Sequence, residues 1–323
     1  MNALSALFGA GVGVRNRLYD RGTLRSHRLK APVVSIGSIS AGGAGKTPFL
    51  IMLGELLRQR GIAFNVLSRG YGRRTRGVAL VDPAGSPQEF GDEPLLIARK
   101  LGVPVIVGED RYTAGKFAEE KFGLQAHLLD DGFQHRRLTR DFDIVLITQR
   151  DLNDTLLPSG RLREPLSSLA RASAIVLMDD VASEQIPVRV SQQVWRVSRS
   201  IVPLETLEPC FAFCGIARPE NFYTDLGKAG VRVVGTRSFR DHHAYNASDM
   251  QALFKLGQEA GATAFITTEK DAVNLGEHVE RLRPLHIALV RMEFEAPTGS
   301  GCESPAELIA ALIQRRSELH VRE

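Results

Sequence analysis

Apolar positions along this chain fall in short runs separated by amphipathic stretches, and the two kinds alternate. Val33–Ile36, Phe64–Leu67, Val103–Val107, His127–Leu129, Ile144–Ile147 and Ala174–Met178 are short, apolar and largely β-branched, which predicts strands. Pro48–Arg60, Glu93–Leu101 and Arg111–Phe122 lie between them and predict helices. Such runs between amphipathic helices imply a parallel sheet covered on both faces. The pattern weakens around 180–208, where Pro187 and Pro203 interrupt it, and then restarts. Phe211–Cys214, Val231–Val234, Ala264–Thr267 and His286–Val290 predict further strands; 219–229, 247–260 and 304–316 predict helices. The expected fold is therefore α/β, with a parallel-sheet domain over 31–180, a connector over 181–208 and a smaller α/β domain over 209–323. Two lobes of this kind frame a cleft that can close.

Length and composition agree: 323 residues suggest two domains, and 43% hydrophobic with 24% charged residues is the balance of a soluble globular chain. Cys210, Cys214 and Cys302 are too few and too irregular for a disulfide framework or a zinc site, so a cytoplasmic setting is expected.

Charge changes the picture at one end. Residues 1–30 hold six basic side chains (Arg15, Arg17, Arg21, Arg25, Arg28, Lys30) against Asp20, a net +5, whereas the whole chain is +4. A nucleic-acid binder would spread that excess over a folded face, so nucleic acid is not an expected partner. The basic cluster instead follows the apolar run Ala3–Val12, which on a helix puts Leu4, Leu7, Phe8 and Val12 on one side. That run is shorter than the about 20 residues a membrane span needs. It lacks the basic n-region and cleavage site of a signal peptide. Residues 1–30 therefore read as a monotopic interfacial helix with a basic segment, facing an anionic membrane surface.

Chemistry concentrates in a few strings. Ser40-Ala41-Gly42-Gly43-Ala44-Gly45-Lys46-Thr47 sits between a predicted strand and a predicted helix. There, glycine N–H groups and a helix N-terminus close around phosphate oxygens, Lys46 reaches the β- and γ-phosphates, and the Thr47 hydroxyl can ligate Mg²⁺. The strict pattern asks for glycine where this chain has Ser40. Asp130-Asp131-Gly132-Phe133-Gln134-His135 places two carboxylates at the carboxyl edge of a strand, where such sheets bind ligands and where an acid can hold the Mg²⁺ of a triphosphate. Ser68-Arg69-Gly70-Tyr71-Gly72 suits a loop that approaches an anion. Asp92 in Gly91-Asp92-Glu93-Pro94 reads alone as an ordinary helix cap. Arg161, Arg163 and Glu164 lie in a charged loop, and Asp241-His242-His243 concentrates a general base or hydrogen-bonding group without a third metal ligand nearby. Thr267-Thr268-Glu269-Lys270-Asp271 only loosely matches a base-reading motif of GTP-binding proteins.

In this order these strings, with Leu162-Arg163-Glu164-Pro165-Leu166 and Phe213-Cys214-Gly215-Ile216-Ala217-Arg218-Pro219, resemble the tetraacyldisaccharide 4′-kinase family of lipid A biosynthesis across nearly the whole chain. The resemblance implies transfer of the γ-phosphate of ATP, with Mg²⁺, to the 4′-hydroxyl of a tetraacyl disaccharide 1-phosphate held in a membrane. It implies a phosphate-loop kinase domain, and a peripheral place on the cytoplasmic face of the bacterial inner membrane. It also maps a proton-accepting pair onto Asp92 and His242, which should meet across the cleft. Thr47 with Asp130, Asp131 or Glu164 would hold Mg²⁺. Arg69, Tyr71, His135, Arg161, Arg163 and His243 are the candidate contacts to phosphate or substrate. No obligate protein partner is implied. The competing reading is a partitioning or metal-insertion NTPase that works as a switch; those proteins commonly have Lys where this chain has Ala41 and need no Asp-His-His loop.

Overall fold

The computed structural model describes residues 2–178, 181–182, 186–204, 208–295 and 304–320. In chain order the first lobe contains α1 (Ala3–Asp20), β1 (Val33–Ser38), α2 (Lys46–Gln59), β2 (Phe64–Ser68), β3 (Ala79–Leu80), α3 (Pro87–Phe90), α4 (Asp92–Leu101), β4 (Val105–Val107) and α5 (Arg111–Lys121). It continues through β5 (Ala126–Asp130), β6 (Phe142–Ile147), α6 (Gln149–Leu152), β7 (Ala174–Met178) and β8 (Gln193–Ile201). The second lobe holds β9 (Cys210–Cys214), α7 (Pro219–Lys228), β10 (Val233–Ser238), α8 (Ala247–Glu259), β11 (Ala264–Thr268), α9 (Glu269–Leu275) and β12 (Leu285–Ala288). β13 (Val290–Phe294) and α10 (Pro305–His320) then return to the first lobe.

The large sheet has the order β13-β8-β7-β6-β1-β5-β2-β4-β3, and the small one β10-β9-β11-β12. The small sheet is parallel throughout, but the large one, expected to be parallel, is mixed, because the edge strands β3 and β13 enter from loops and the second lobe rather than through a helical crossover and pair antiparallel. Its central strands β1, β2, β5 and β7 are buried at every residue, as expected of strands covered on both faces. On one face Phe49, Leu50, Leu53 and Leu57 of α2 pack with Val34, Ile36 and Leu128. On the other, Ala114 and Ala118 of α5 pack with Leu67, Ile106 and Leu129. Each of these Val, Leu, Ile and Phe side chains, fully buried, contributes roughly 1.5–3 kcal/mol of transfer free energy, and the two alanines less. That burial fixes β1 in mid-sheet, so whatever follows it emerges from the centre of the carboxyl edge.

Three expectations are corrected here. The segment read as a connector contains β8, which pairs in parallel with β7; its alternating polar and apolar positions suit a strand near a sheet edge rather than a doubly covered one. The single strand expected over His286–Val290 is two: β12 ends at Ala288 in the small sheet, and β13 starts at Val290 in the large one. The expected 209–323 unit therefore gives its last strand and helix back to the first lobe, with Ala306, Ile309 and Ile313 of α10 in the core beside Phe49. Cys302 lies outside the described residues.

The chain thus crosses between lobes twice, after Ile201 and before Val290, and these two positions are partners in the β8–β13 pair. α1 lies on the first lobe through polar contacts. Ser5 is buried and donates to the Leu156 carbonyl at 2.9 Å, and Asn16 donates to Glu164 at 2.8 Å. Its apolar side chains Leu4 and Leu7 stay 63% and 71% exposed.

Candidate active site

β1 ends at Ser38 and α2 begins at Lys46, so the glycine string is the turn between them. Gly42, Gly43 and Gly45 have φ of 65°, 71° and 81°, the left-handed region that side chains avoid. Arg161 donates to the carbonyls of Ala41 at 2.7 Å and Gly42 at 2.8 Å, and Arg163 donates to that of Ser40 at 2.8 Å. These two arginines, expected at phosphate or substrate, instead brace the loop from its carbonyl side. Lys46 reaches Asp131 Oδ1 and Ser38 Oγ, each at 3.4 Å, and Thr47 opens α2 beside it.

β5 delivers the two acids next to this loop, and their fates differ. Asp131, at φ 48°, is gripped by Arg163 through both oxygens at 2.8 Å. Burial would raise its carboxyl, but Lys46 and Arg163 hold it well below the usual carboxylate range. Asp130 accepts from Ser68 Oγ at 2.9 Å through Oδ2, while its buried Oδ1 has no partner. Burial, then the charges of Glu93 and Asp131, push it up to about 7. Glu164 is elsewhere: it is 2% exposed and accepts from Arg171 at 2.9 and 3.1 Å, Asn16 at 2.8 Å and Gln134 at 3.2 Å. With its lone pairs committed, Glu164 ties α1 to the loop and is not available to a metal.

Arg15, Arg69, Arg111 and His135 line the cleft beyond the acids. Arg111 is buried, with Nε unpartnered, as is His135 Nε2. Burial and then the Arg111 charge lower His135 to about 4, so it is neutral at pH 7. Tyr71 is exposed and its ring lies 5.0 Å from that of His242. His243 is turned away: Nε2 meets Asp249 at 2.9 Å and its ring stacks on Phe239, so its role is to hold its own loop.

Asp92, the first residue of α4, is 4% exposed, and His242 reaches it from the other lobe. His242 Nδ1 lies 2.9 Å from each carboxylate oxygen. Oδ1 also accepts from the Glu93 N–H and Oδ2 from Asn274, both at 2.9 Å. His242 sits at φ 58°, a conformation that costs a non-glycine residue roughly 1–3 kcal/mol and clusters at functional sites. Burial alone would raise Asp92, yet the hydrogen bond from His242, the Lys270 charge and Asn274 bring it below its ordinary value. Burial alone would lower His242, yet the Asp92 hydrogen bond lifts it above its own.

Three residues here were not among the expected site residues, although Lys270 lies in the string that loosely matches a base-reading motif. Lys270 stands 2.9 Å from Asp241, 3.4 Å from Glu93 and 3.2 Å from His242 Nε2. Its position after β11, at the carboxyl edge of a parallel strand, was the available signal. Asn274, one helical turn on, had none. Arg111 read only as the start of a helix.

These groups surround one cleft of about 1080 Å³ between the lobes. A family model described as tetraacyldisaccharide-1-P 4′-kinase matches residues 1–307. The tetraacyldisaccharide 4′-kinase of Koribacter versatilis is 49% identical over 326 residues, covering 98% of this chain and 99% of that one. The enzyme of that name from Aquifex aeolicus is 38% identical, covering 84% of this chain and 88% of its own length. The crystal structure of the apo form of LpxK from Aquifex aeolicus in complex with ATP superimposes with a TM-score of 0.76 at 33% identity, covering 97% of both chains. The competing NTPase-switch reading gives way to these matches, and the chain belongs to the tetraacyldisaccharide 4′-kinase family.

Proposed function

We propose that Asp92 and His242 act together to take the proton of the lipid's 4′-hydroxyl as the γ-phosphate of ATP passes to it. The activity is that of an ATP-dependent 4′-kinase of a lipid A precursor. The observation that carries the residue assignment is the 2.9 Å contact of His242 with Asp92, made between lobes in the cleft that also holds the glycine loop. The loop takes the triphosphate as a phosphate loop, with Lys46 neutralising its β- and γ-oxygens. The 4′-oxygen bonds to phosphorus, the bond to the bridging oxygen breaks, and ADP leaves.

Mg²⁺ fits the residues present. Asp130 Oδ1 is a buried carboxylate oxygen without a partner, and Thr47, in the first turn of α2, lines the same cleft. Among the described residues no group of three or more His, Cys, Asp or Glu forms a metal cage. Mg²⁺ usually takes one or two carboxylates and completes its shell from phosphates and water. Held by Asp130 and Thr47, it would supply positive charge that neutralises the phosphate oxygens. Arg69 and Arg111 form the cationic end of the cleft, with the neutral His135 beside them as a hydrogen-bonding group, and this suits the substrate's 1-phosphate. Incubation with γ-³²P-ATP and tetraacyldisaccharide 1-phosphate in micelles should label the lipid at the 4′ position. Release of labelled inorganic phosphate with no labelled lipid would overturn the kinase reading.

The membrane is the partner that α1 suits. No helix among the described residues is long and apolar enough to cross a bilayer. The exposed Leu4, Leu7 and Val14 share the helix with Arg15 and Arg17, and Arg15 also lines the cleft. An interfacial helix at the cleft mouth would hold the enzyme on the leaflet carrying its lipid, at the cytoplasmic face of the inner membrane. Each basic residue near an anionic surface contributes roughly 1 kcal/mol. Deleting residues 2–12, or replacing Leu4 and Leu7 with Glu, should reduce cosedimentation with anionic vesicles and raise the apparent KM for micellar lipid. Binding of the parent should also weaken with salt. Undiminished cosedimentation of both variants would remove α1 from this role.

A further inference from the structure

His242 presents two ring nitrogens, and only one is explained by Asp92. Nδ1 donates to the ionised carboxylate, so in the neutral ring Nε2 carries the lone pair. Lys270 Nζ lies 3.2 Å from that Nε2, and an ammonium has donors only, so Nε2 accepts from it. Asp92 offers no alternative landing place for a proton. It is 4% exposed, and its oxygens already accept from His242, Glu93 N–H and Asn274. The atom able to receive the hydroxyl proton is therefore Nε2, and in this structure Lys270 caps it.

Lys270 also stands beside the triphosphate cradle. It pairs with Asp241 at 2.9 Å, and Asp241 Oδ2 lies 3.8 Å from where a Cβ on Gly42 of the glycine loop would stand. Its remaining neighbours are Glu93 at 3.4 Å and Asp92 at 3.8 Å. An ammonium held by three carboxylates at the rim of a phosphate site has a stronger anion within reach once a triphosphate binds.

We propose that Lys270 is a positioning residue that caps His242 Nε2 in the nucleotide-free protein and passes to the terminal phosphate of bound ATP, which frees Nε2 for the acceptor proton. The proposal rests on the reading of Asp92 and His242 as the proton acceptor. It makes base activation follow nucleotide binding, so the free enzyme holds its base shielded.

The test is ¹⁵N NMR of the full-length protein labelled at histidine, with His242 assigned by comparison with His242→Gln. Adding the non-hydrolysable analogue AMPPNP with Mg²⁺ should move the wild-type Nε2 resonance toward that of an unbonded lone pair. In Lys270→Met, Nε2 should appear unbonded with and without the analogue. Apparent KM for ATP should rise about tenfold in Lys270→Met through loss of a charge-assisted contact, with part of it restored in Lys270→Arg. A wild-type Nε2 resonance unmoved by AMPPNP, or identical free spectra for wild type and Lys270→Met, overturns the handover. Should His242→Gln keep wild-type kcat, the dyad reading fails instead, while the wild-type ring shifts still decide where Lys270 sits.

Discussion

Replacing Lys46 with Ala should lower phosphate transfer by about 10³-fold or more, because the reaction depends on charge neutralisation at the phosphates and little else is supplied covalently. The side chain is 12% exposed and makes two weak contacts, each at 3.4 Å, with Asp131 and Ser38. Asp131 keeps its bidentate Arg163 when Lys46 is lost, so the fold should hold and the melting temperature should move by only a few degrees. Activity within a few-fold of wild type, in protein with an unchanged melt, would remove Lys46 from the nucleotide site. One effect runs against the loss of charge: Lys46 helps restrain the protonation of Asp130. The variant should therefore also need more Mg²⁺ for half-maximal residual rate.

Much of this site is legible in the sequence because backbone conformation writes itself into residue type. Gly42, Gly43 and Gly45 mark left-handed positions, and the apolar runs before Ser38 and Asp130 place both strings at one sheet edge. What the pattern misses is long-range pairing. Whether a basic side chain meets phosphate or a carbonyl depends on loops packed from distant parts of the chain. Arg161 and Arg163 brace the glycine loop from about 120 residues away, and Glu164 is consumed by α1 and Arg171. The return of β13 to the large sheet is invisible for the same reason: a run such as His286–Val290 has the same periodicity whether one sheet owns it or two. Asn274 and Lys270 become site residues only because α9 packs against α4 across the lobes.

Asp92→Ala and His242→Ala should each cut kcat by about 10²–10⁴-fold, the range of a positioned general base, with little change in ATP affinity. The two act as one unit at 2.9 Å, so the double variant should be little worse than the poorer single one. The pH profile separates the proton-accepting role from a merely structural contact. His242 is raised in the folded protein, so its contribution to stability is complete below its unfolded value and is lost as pH rises through the folded one. Asp92 is lowered, so its contribution is present above its unfolded value and is lost as pH falls through the folded one. The lobe contact is therefore strongest between about pH 4 and 6.5. Proton acceptance requires the opposite state of the histidine, neutral at Nε2. The acid limb of kcat should accordingly lie above the ordinary imidazole value of about 6.5, on the alkaline side of the stability maximum. In Asp92→Asn the lifting hydrogen bond to a charge is gone, so the limb should move to lower pH as the maximal rate falls. A limb that stays in place in Asp92→Asn, or a double-variant loss equal to the product of the single losses, would mean that the two residues act separately and that His242 is not the base Asp92 tunes.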